Sequence, residues 1–353
     1  MKNYEYPGAV HIHSTFSDGT LSIDDIIKEA RKEDLRWIII TDHNTIEGLE
    51  KGCEGFYGNL CVLVGTEISP HNRNHYLAFD VKSNISQELP PEKFIQKVNE
   101  QGGFGFIAHP DESTERKNHY PPLRWENWDI NGFQGIEIWN YMSDWVDTLT
   151  EENKFKMFFQ PEKYLQGPTV KVMQWWDDLN SRNCNIVPAL IGLDVHQFLY
   201  NFMGLKLRIF PYGRMFKTLK NYIQIDDCLS TDFETAKKQI YTALRAGNNI
   251  MINEYLGKGN GVIFTVSKIN PDHSITKITV GESLTVSDEF TLDIQTPSVC
   301  NIKLFCNGEV IEEQVTDRIK LKCKEPGTYR FEAFKNNQHW IITNPVKVLK
   351  END

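Results

Sequence analysis

The chain has 353 residues, more than the roughly 100–200 of one domain, so a large domain with a smaller companion is expected. Apolar residues make up 40% and charged residues 24%, which excludes wholesale disorder, a collagen-like repeat and a coiled-coil fibre. A formal charge of −10 disfavours long nucleic acid, which is held by clustered Lys and Arg. No apolar run approaches the roughly 18 residues of a membrane span, and the start shows no basic-then-apolar leader, so no membrane contact and a cytoplasmic location are expected.

From residue 10 to about 250, short apolar runs alternate with helix-patterned stretches, the pattern of βα units building a parallel sheet or barrel. Residues 10–12, 37–41, 62–67, 76–79, 105–109, 135–139 and 187–194 read as strands. Ser22 is placed to cap a helix whose apolar face is Ile23, Ile26, Ile27 and Ala30, and Phe94, Ile95 and Val98 repeat at the same spacing. Gly102-Gly103-Phe104-Gly105 precedes a strand and reads as a helix stop and turn. A later helix carries Phe233, Ala236, Ile240 and Ala243, and Gly247 stands where it should stop. Residues 139–176 are rich in aromatics without a clean period (Trp139, Tyr141, Trp145, Phe155, Phe158, Phe159, Tyr164, Trp175, Trp176). They read as a hydrophobic insertion packed on the barrel, with the wall of a substrate pocket as the second reading.

From residue 258 the period becomes alternating. VIFTVSKI, FTLDIQT, NIKLFCNG, RIKLKCK and TYRFEAFK are separated by Asn270-Pro271, Asn307-Gly308, Pro326-Gly327 and Asn336-Asn337. The expected organisation is a domain over residues 1–256 followed by an antiparallel β-sandwich over 257–353. From Gly259 onward 11 basic side chains face 13 acidic ones, so this part also lacks a polyanion patch. The seven cysteines are odd in number and show no C-x-x-C, which reads as buried thiols; Cys300, Cys306 and Cys323 fall close enough for one bridge in an exported protein.

Chemistry concentrates at predicted strand ends. His11 and His13 are two apart, so one strand face would present both. Asp42-His43, Glu67, His109, and Asp194 with His196 each follow a later apolar run. In a parallel βα barrel such ends gather at one rim. Taken singly the residues have plain structural roles: Asp18-Gly19 as a turn, Asp42 and Asn44 as loop caps, His109-Pro110 as a strand end. Together, imidazoles and carboxylates suit Zn²⁺, Mn²⁺ or Fe²⁺ rather than Ca²⁺. With His75 the set holds nine donors, where one catalytic zinc uses about three protein ligands, so two or three ions sharing carboxylates are expected. Glu137 lies at a further strand end, and its rim position suits either a structural hydrogen bond or support of the site. G-x-S-x-G, G-x-x-x-x-G-K-[ST] and a strand-following G-x-G-x-x-G are all missing.

The run of His11-Ile12-His13, Ser17-Asp18-Gly19, Thr41-Asp42-His43-Asn44, Gly65-Thr66-Glu67, Ala108-His109-Pro110 and Gly192-Leu193-Asp194-Val195-His196 resembles the polymerase and histidinol phosphatase (PHP) family of metal-dependent phosphoesterases. The resemblance spans residue 8 to about 250 and departs from the usual G-S-D-x-H at Leu193. It implies a distorted (β/α)7 TIM-like barrel with a trinuclear metal centre. Carried over, His11, His13, Glu67 and Asp194 would hold one metal. Glu67 would bridge to a second held by His75 and His109, with His71 a competitor for His75; Asp18, His43 and His196 would hold the third. Asp42 would orient an imidazole or polarise water. Arg116, whose loop follows His109, is the preferred phosphate contact, ahead of Arg73, Lys117, Arg124, Arg208 and Arg214.

The implied activity is hydrolysis of small, nucleotide-like phosphate monoesters or short phosphodiesters by a metal-activated hydroxide. Alternatives are an exonuclease or oligonucleotide phosphodiesterase, a binding protein with a vestigial metal site, and an amidohydrolase barrel, which also opens with H-x-H but lacks S-D-G and T-D-H-N. The C-terminal part resembles β-rich appendages of the family and could cover the barrel, bind a ligand or mediate homo-oligomerisation.

Overall fold

A computed structural model describes residues 4–71, 73–112, 122–202 and 205–351. The first half runs β1 (Tyr4–Ala9), α1 (Ile23–Ala30), β2 (Trp37–Ile40), α2 (Glu47–Glu50), β3 (Gly55–Tyr57), β4 (Leu60–Val64), β5 (Thr66–Ile68), β6 (Tyr76–Phe79), α3 (Pro91–Glu100) and β7 (Phe104–Ile107). It continues through β8 (Gly135–Asn140), α4 (Tyr141–Thr148), α5 (Lys154–Phe159), α6 (Val170–Arg182), β9 (Ala189–Gly192), β10 (Phe198–Phe202), β11 (Leu205–Ile209), α7 (Tyr212–Met215), β12 (Leu219–Ile225), α8 (Phe233–Ala246) and β13 (Asn249–Asn253). The remainder is strand: β14 (Ile263–Ile269), β15 (Ile275–Thr279), β16 (Ser283–Val286), β17 (Phe290–Cys306), β18 (Glu309–Cys323), β19 (Gly327–Lys335), β20 (Gln338–Thr343) and β21 (Val346–Lys350).

The helices begin and end where local chemistry requires. Ser22 caps α1 by accepting from Asp25 N, and Ile23, Ile26, Ile27 and Ala30 are its buried stripe. Gly247 closes α8 at φ 76°, a left-handed conformation that glycine adopts without a Cβ clash.

Strands β1, β2 and β4 pair in parallel, and β5 to β9 form a second sheet in which β7, β8 and β9 are parallel. β6 differs from the parallel expectation, running antiparallel to both β5 and β7. The short link between β5 and β6 explains this, since a parallel crossover needs a dozen or more residues. The two sheets are joined by isolated parallel bridges, Ile12 with Val195 and His43 with Glu67. Ile12, Val195 and His43 lie where regular strand has given way to the segments bearing the candidate ligands, and Glu67 lies in β5.

The C-terminal strands are not separated from the first half by a break in pairing or packing. β12 and β13 extend the first sheet, and β13 hydrogen-bonds to β20. Tyr222, Ile250 and Ile252 share one buried cluster with Phe264, Ile302, Phe331 and Trp340. The Asn307-Gly308 and Asn336-Asn337 turns form as expected, all four residues at positive φ. FTLDIQT and NIKLFCNG, expected as two strands, are one 17-residue strand, β17, whose pairing with β18 shifts register between Gln295 and Cys300. That irregularity absorbs Pro297, which has no N–H for the ladder. All seven cysteines are free, and Cys184 and Cys228 are exposed rather than buried. Among the described residues, no helix is long and apolar enough to cross a membrane.

Candidate metal centre

The nine residues meet at the junction of the two sheets. Their donor atoms form overlapping groups within 4.8 Å: His13, Asp18, His43 and His196; His11, His109 and Asp194; His11, His13 and Glu67; and Glu67, His75 and His109. Asp194 Oδ1 lies 3.4 Å from His11 Nε2 and 3.3 Å from His13 Nε2. His75, rather than His71, stands beside Glu67, with its Nδ1 2.9 Å from Oε1. Glu67 is at the centre, fully buried, and belongs to two of the groups.

The backbone is bent to bring these groups together. His11, His109 and Asp194 have φ values of 63°, 27° and 55°, in the left-handed region that non-glycine residues rarely occupy. Each such residue stores about 1–3 kcal/mol, which persists only where surroundings enforce it. β1 ends at Ala9, before His11, so the H-x-H pair sits on irregular chain instead of one strand face; its rings still approach to 5.2 Å.

Most imidazoles are held by a partner that fixes the ring. His11 Nδ1 is 2.7 Å from Glu137 Oε1, His43 Nδ1 2.7 Å from Ser69 Oγ, His109 Nδ1 3.1 Å from Leu123 O, and His196 Nδ1 2.9 Å from Asp194 O. Such contacts leave Nε2 as the free donor, the arrangement of metal-ligating histidines. Glu137 also accepts from His109 N at 2.8 Å and from Asn140 Nδ2 at 3.1 Å. Gly192 makes room for it, since a Cβ there would lie 1.7 Å from Glu137 Oε1. Asp42 accepts from Ser14 N, Ser14 Oγ and Ser17 Oγ, each at 2.6 Å, so it ties down the loop leading to Asp18; among the described residues it hydrogen-bonds no imidazole.

Four atoms test whether these residues suit cations. His11 Nε2, both ring nitrogens of His13, and Glu67 Oε2 are buried and have no hydrogen-bond partner. Buried polar groups are almost always satisfied, and a converging set of imidazole and carboxylate lone pairs is satisfied by divalent metal. Electrostatics agree. Burial and the neighbouring His196 and His43 push His13 down to about 3, leaving it neutral and able to ligate. Burial opposes ionisation of Asp18, but the hydrogen bond and charge of His196, with His43 and His13, hold it at about 2. Burial likewise disfavours the Glu67 and Asp194 carboxylates, yet the surrounding imidazoles keep both well below the usual range.

Of the cationic side chains expected to meet phosphate, those among the described residues are exposed or paired with acids. Arg116 and Lys117 lie outside the described residues. Arg73 pairs with Glu126 at 3.0 Å, Arg214 with Glu162 at 2.5 Å, and Arg124 and Arg208 are exposed. Among the described residues, no Lys or Arg pairs with the nine. A cavity of about 380 Å³ opens beside His109, Glu137 and Asn140, its outer wall formed by Gln166, Pro168 and Thr169. Part of the aromatic insertion thus borders the site. Reasoning from sequence missed Ser69 and Leu123 O as ring partners; neither has a spacing signal, because both are set by the sheet junction.

The PHP domain model matches residues 9–115. The uncharacterized protein MJ1587 of Methanocaldococcus jannaschii is 32% identical over 114 residues, covering 29% of this chain and 66% of that protein, just under two thirds of its length. A two-domain protein from Bacteroides vulgatus containing a predicted PHP-like metal-dependent phosphoesterase is 15% identical, covering 97% of this chain and 95% of its own, with a TM-score of 0.46. PsfC from Pseudomonas syringae is 10% identical, covering 68% and 96%, with a TM-score of 0.41. The segment that the PHP domain model matches holds seven of the nine clustered residues, from His11 to His109, and the fold adds Asp194 and His196; over residues 9–115 the chain is similar to the PHP domain.

Proposed function

We propose that the chain is a metal-dependent hydrolase of small phosphate monoesters or short phosphodiesters. The observation that carries this reading is the buried set of unpartnered atoms on His11, His13 and Glu67, around which the other ligands converge. His11, His13, Glu67 and Asp194 would hold one ion, Glu67, His75 and His109 a second, and Asp18, His43 and His196 a third. His13 is also in range of the third.

Divalent ions there supply Lewis acidity, acidifying water toward neutrality and offsetting phosphoryl charge. The chain's own residues do the rest. Glu67 offers one oxygen to His75 and His109 and the other toward His11 and His13, which sets the spacing between adjacent positions. Glu137 fixes His11, Ser69 fixes His43, and both keep Nε2 facing inward. Asp42 positions Asp18, the exposed member, at the mouth where a substrate enters. Among the described residues no Lys or Arg pairs with the nine, which suits a compact phosphate met by cations in the cluster.

The two bridged sheets fit the distorted (β/α)7 barrel, and residues 257–353 fit an accessory β-sandwich built onto it. Protein purified without chelator should carry two to three equivalents of Zn, Mn or Fe by elemental analysis, and should release phosphate from nucleotides or sugar phosphates. Loaded protein that releases none overturns the proposal. A strong preference for bis(4-nitrophenyl) phosphate over 4-nitrophenyl phosphate overturns its monoester form.

A further inference from the structure

The C-terminal strands reach the cavity beside the metal centre. Its lining includes His109, Glu137 and Asn140 on one side and the chain from Gln166 to Thr169 on the outside. A volume of about 380 Å³ falls in the range of small-molecule sites, roughly 300–1,000 Å³. Residues 165–169 belong to no helix or strand, so their path is set by what they touch.

Two elements grip this segment. Asp144, buried in α4, accepts from Gln166 N at 3.0 and 2.9 Å and from Gly167 N at 3.0 Å, and its Oδ2 also accepts from Trp139 Nε1 at 2.8 Å. From the start of β20, Gln338 Nε2 donates to Glu162 O and Leu165 O, each at 3.0 Å, and His339 Nδ1 lies 3.3 Å from Gln166 O. The N–H groups therefore go to one element and the C=O groups to the other. Because these contacts are to main-chain atoms, they fix the path of the segment whatever side chains it carries.

His339 is itself held, with Nε2 3.1 Å from Glu332 Oε2 and its ring 6.2 Å from that of Trp139. Gly167 closes directly on it. At φ 98° this residue suits glycine, and a Cβ would fall 2.2 Å from His339 Nδ1. At the far end of the segment Thr169 Oγ1 donates to Asp111 Oδ2 at 2.8 Å, two residues after His109.

We infer that Gln338 and His339 are positioning residues, which hold residues 165–169 as the outer wall of the cavity and so set how tightly the alcohol part of a phosphate ester is held. The inference rests on the phosphoesterase reading for its substrate. It gives the C-terminal strands a part in specificity through two side chains that lie away from the metal ligands.

The test combines amide exchange with turnover on the full chain loaded with metal. Gln338→Met keeps the length of the side chain and removes both donors, while Gly167→Ala pushes the segment off His339. Exchange across residues 165–169 should quicken at least about tenfold in each variant, the effect of losing one or two hydrogen bonds from a local opening equilibrium. Metal content by elemental analysis should stay at the wild-type value. KM for adenosine 5′-monophosphate should rise about fivefold or more with kcat within about twofold, the signature of lost binding that is uniform along the reaction. 4-Nitrophenyl phosphate, with its smaller alcohol, should shift less. Melting curves check that each variant is folded; a purely architectural contact would lower the melting temperature and leave KM alone. Wild-type exchange at 165–169 in either folded variant, unchanged KM for both esters, or metal loss in step with the KM change overturns the inference. If wild type hydrolyses neither ester while exchange quickens in both variants, the phosphoesterase reading fails and the grip on the cavity wall stands.

Discussion

Glu137 Oε1 stands 2.7 Å from His11 Nδ1, with both side chains sealed from solvent. Its other oxygen binds His109 N and Asn140, and Asn140 reaches Asp194, so one carboxylate aligns ligands on the segments that follow β1, β7 and β9. Glu137→Gln keeps the shape and loses the charge that fixes the His11 tautomer. Loss of such a partner lowers metal affinity by roughly 10–100-fold. Titration of Mn²⁺ or Zn²⁺ into chelator-stripped protein measures it, and wild-type affinity would dismiss the role.

Gly192→Ala reaches the same contact from the other side. The new Cβ would fall 1.7 Å from Glu137 Oε1 and 3.0 Å from His11 Cβ, and Glu137 cannot withdraw without releasing His11. Overpacking of this kind destabilises by about 1–3 kcal/mol. The variant should melt lower than wild type and show the metal defect of Glu137→Gln. A normal metal content would mean that the β8–β9 pair can spread.

Much of this arrangement was legible in the chain before folding. Helices α1 and α8 announce themselves through a cap, an apolar stripe and a stop, all of which are local. Most ligand types could be read because they follow an apolar run, and β strands deliver their ends to a common edge; Asp18 and His75 lack that signal. What could not be read is non-local. Nothing in LRAGNNIMIN says that β13 will pair with β20 some ninety residues later. Asp42 looked like support for an imidazole because it adjoins His43, whereas its side chain turns toward Ser14 and Ser17. The cavity wall at residues 165–169 depends on Gln338 and His339 returning from β20, which no periodicity encodes.

Asp42→Asn should therefore act through the loop. An amide cannot accept all three bonds from Ser14 and Ser17, and an unmet buried donor costs about 1–3 kcal/mol. The loop holds Asp18, whose Oδ1 lies 3.1 Å from His196 Nε2. Elemental analysis of Asp42→Asn should show loss of one metal equivalent with the ions around Glu67 retained. Loss of all metal would place Asp42 in a wider role.

Stability toward acid has a separable source in the C-terminal strands. Arg330 on β19 binds Asp177 on α6 through two bonds of 2.6 and 2.7 Å, and Glu332 meets Arg330 at 2.5 Å and His339 at 3.1 Å. Burial would raise Glu332, but the hydrogen bond to His339 and the Arg330 guanidinium hold it at about 2, below its ordinary 4.5. A depressed carboxylate stabilises the fold above its unfolded value, and that contribution is lost as pH falls from about 4.5 through about 2. Wild type should thus lose more melting temperature between pH 6 and pH 3 than Glu332→Gln does. Parallel curves would assign acid sensitivity to other groups.

The last relationship joins the two halves of the chain. Asn344, fully buried between β20 and β21, accepts from Ala189 N at 2.7 Å and donates to Ala189 O at 2.9 Å and Asn249 O at 3.1 Å. Asn221 does the same for Ile191, accepting from its N at 3.1 Å and donating to its O at 2.7 Å. β9 pairs with β8 along one edge, so asparagine side chains take the place of a neighbouring strand along the other, just before Asp194 and His196. Asn344→Ala would leave Ala189 N without a partner and Ala189 O with Asn249 Nδ2 alone at 3.1 Å; an unmet buried donor costs about 1–3 kcal/mol, a sizeable share of the roughly 5–15 kcal/mol that holds a domain together. Urea unfolding should show a lower midpoint, and amide exchange should quicken first along β9. Truncation after Leu256 removes Asn344 together with the β20 partner of β13, and should yield insoluble or metal-poor protein. A truncated chain that stays soluble with its full metal content would reduce the C-terminal strands to a removable cover.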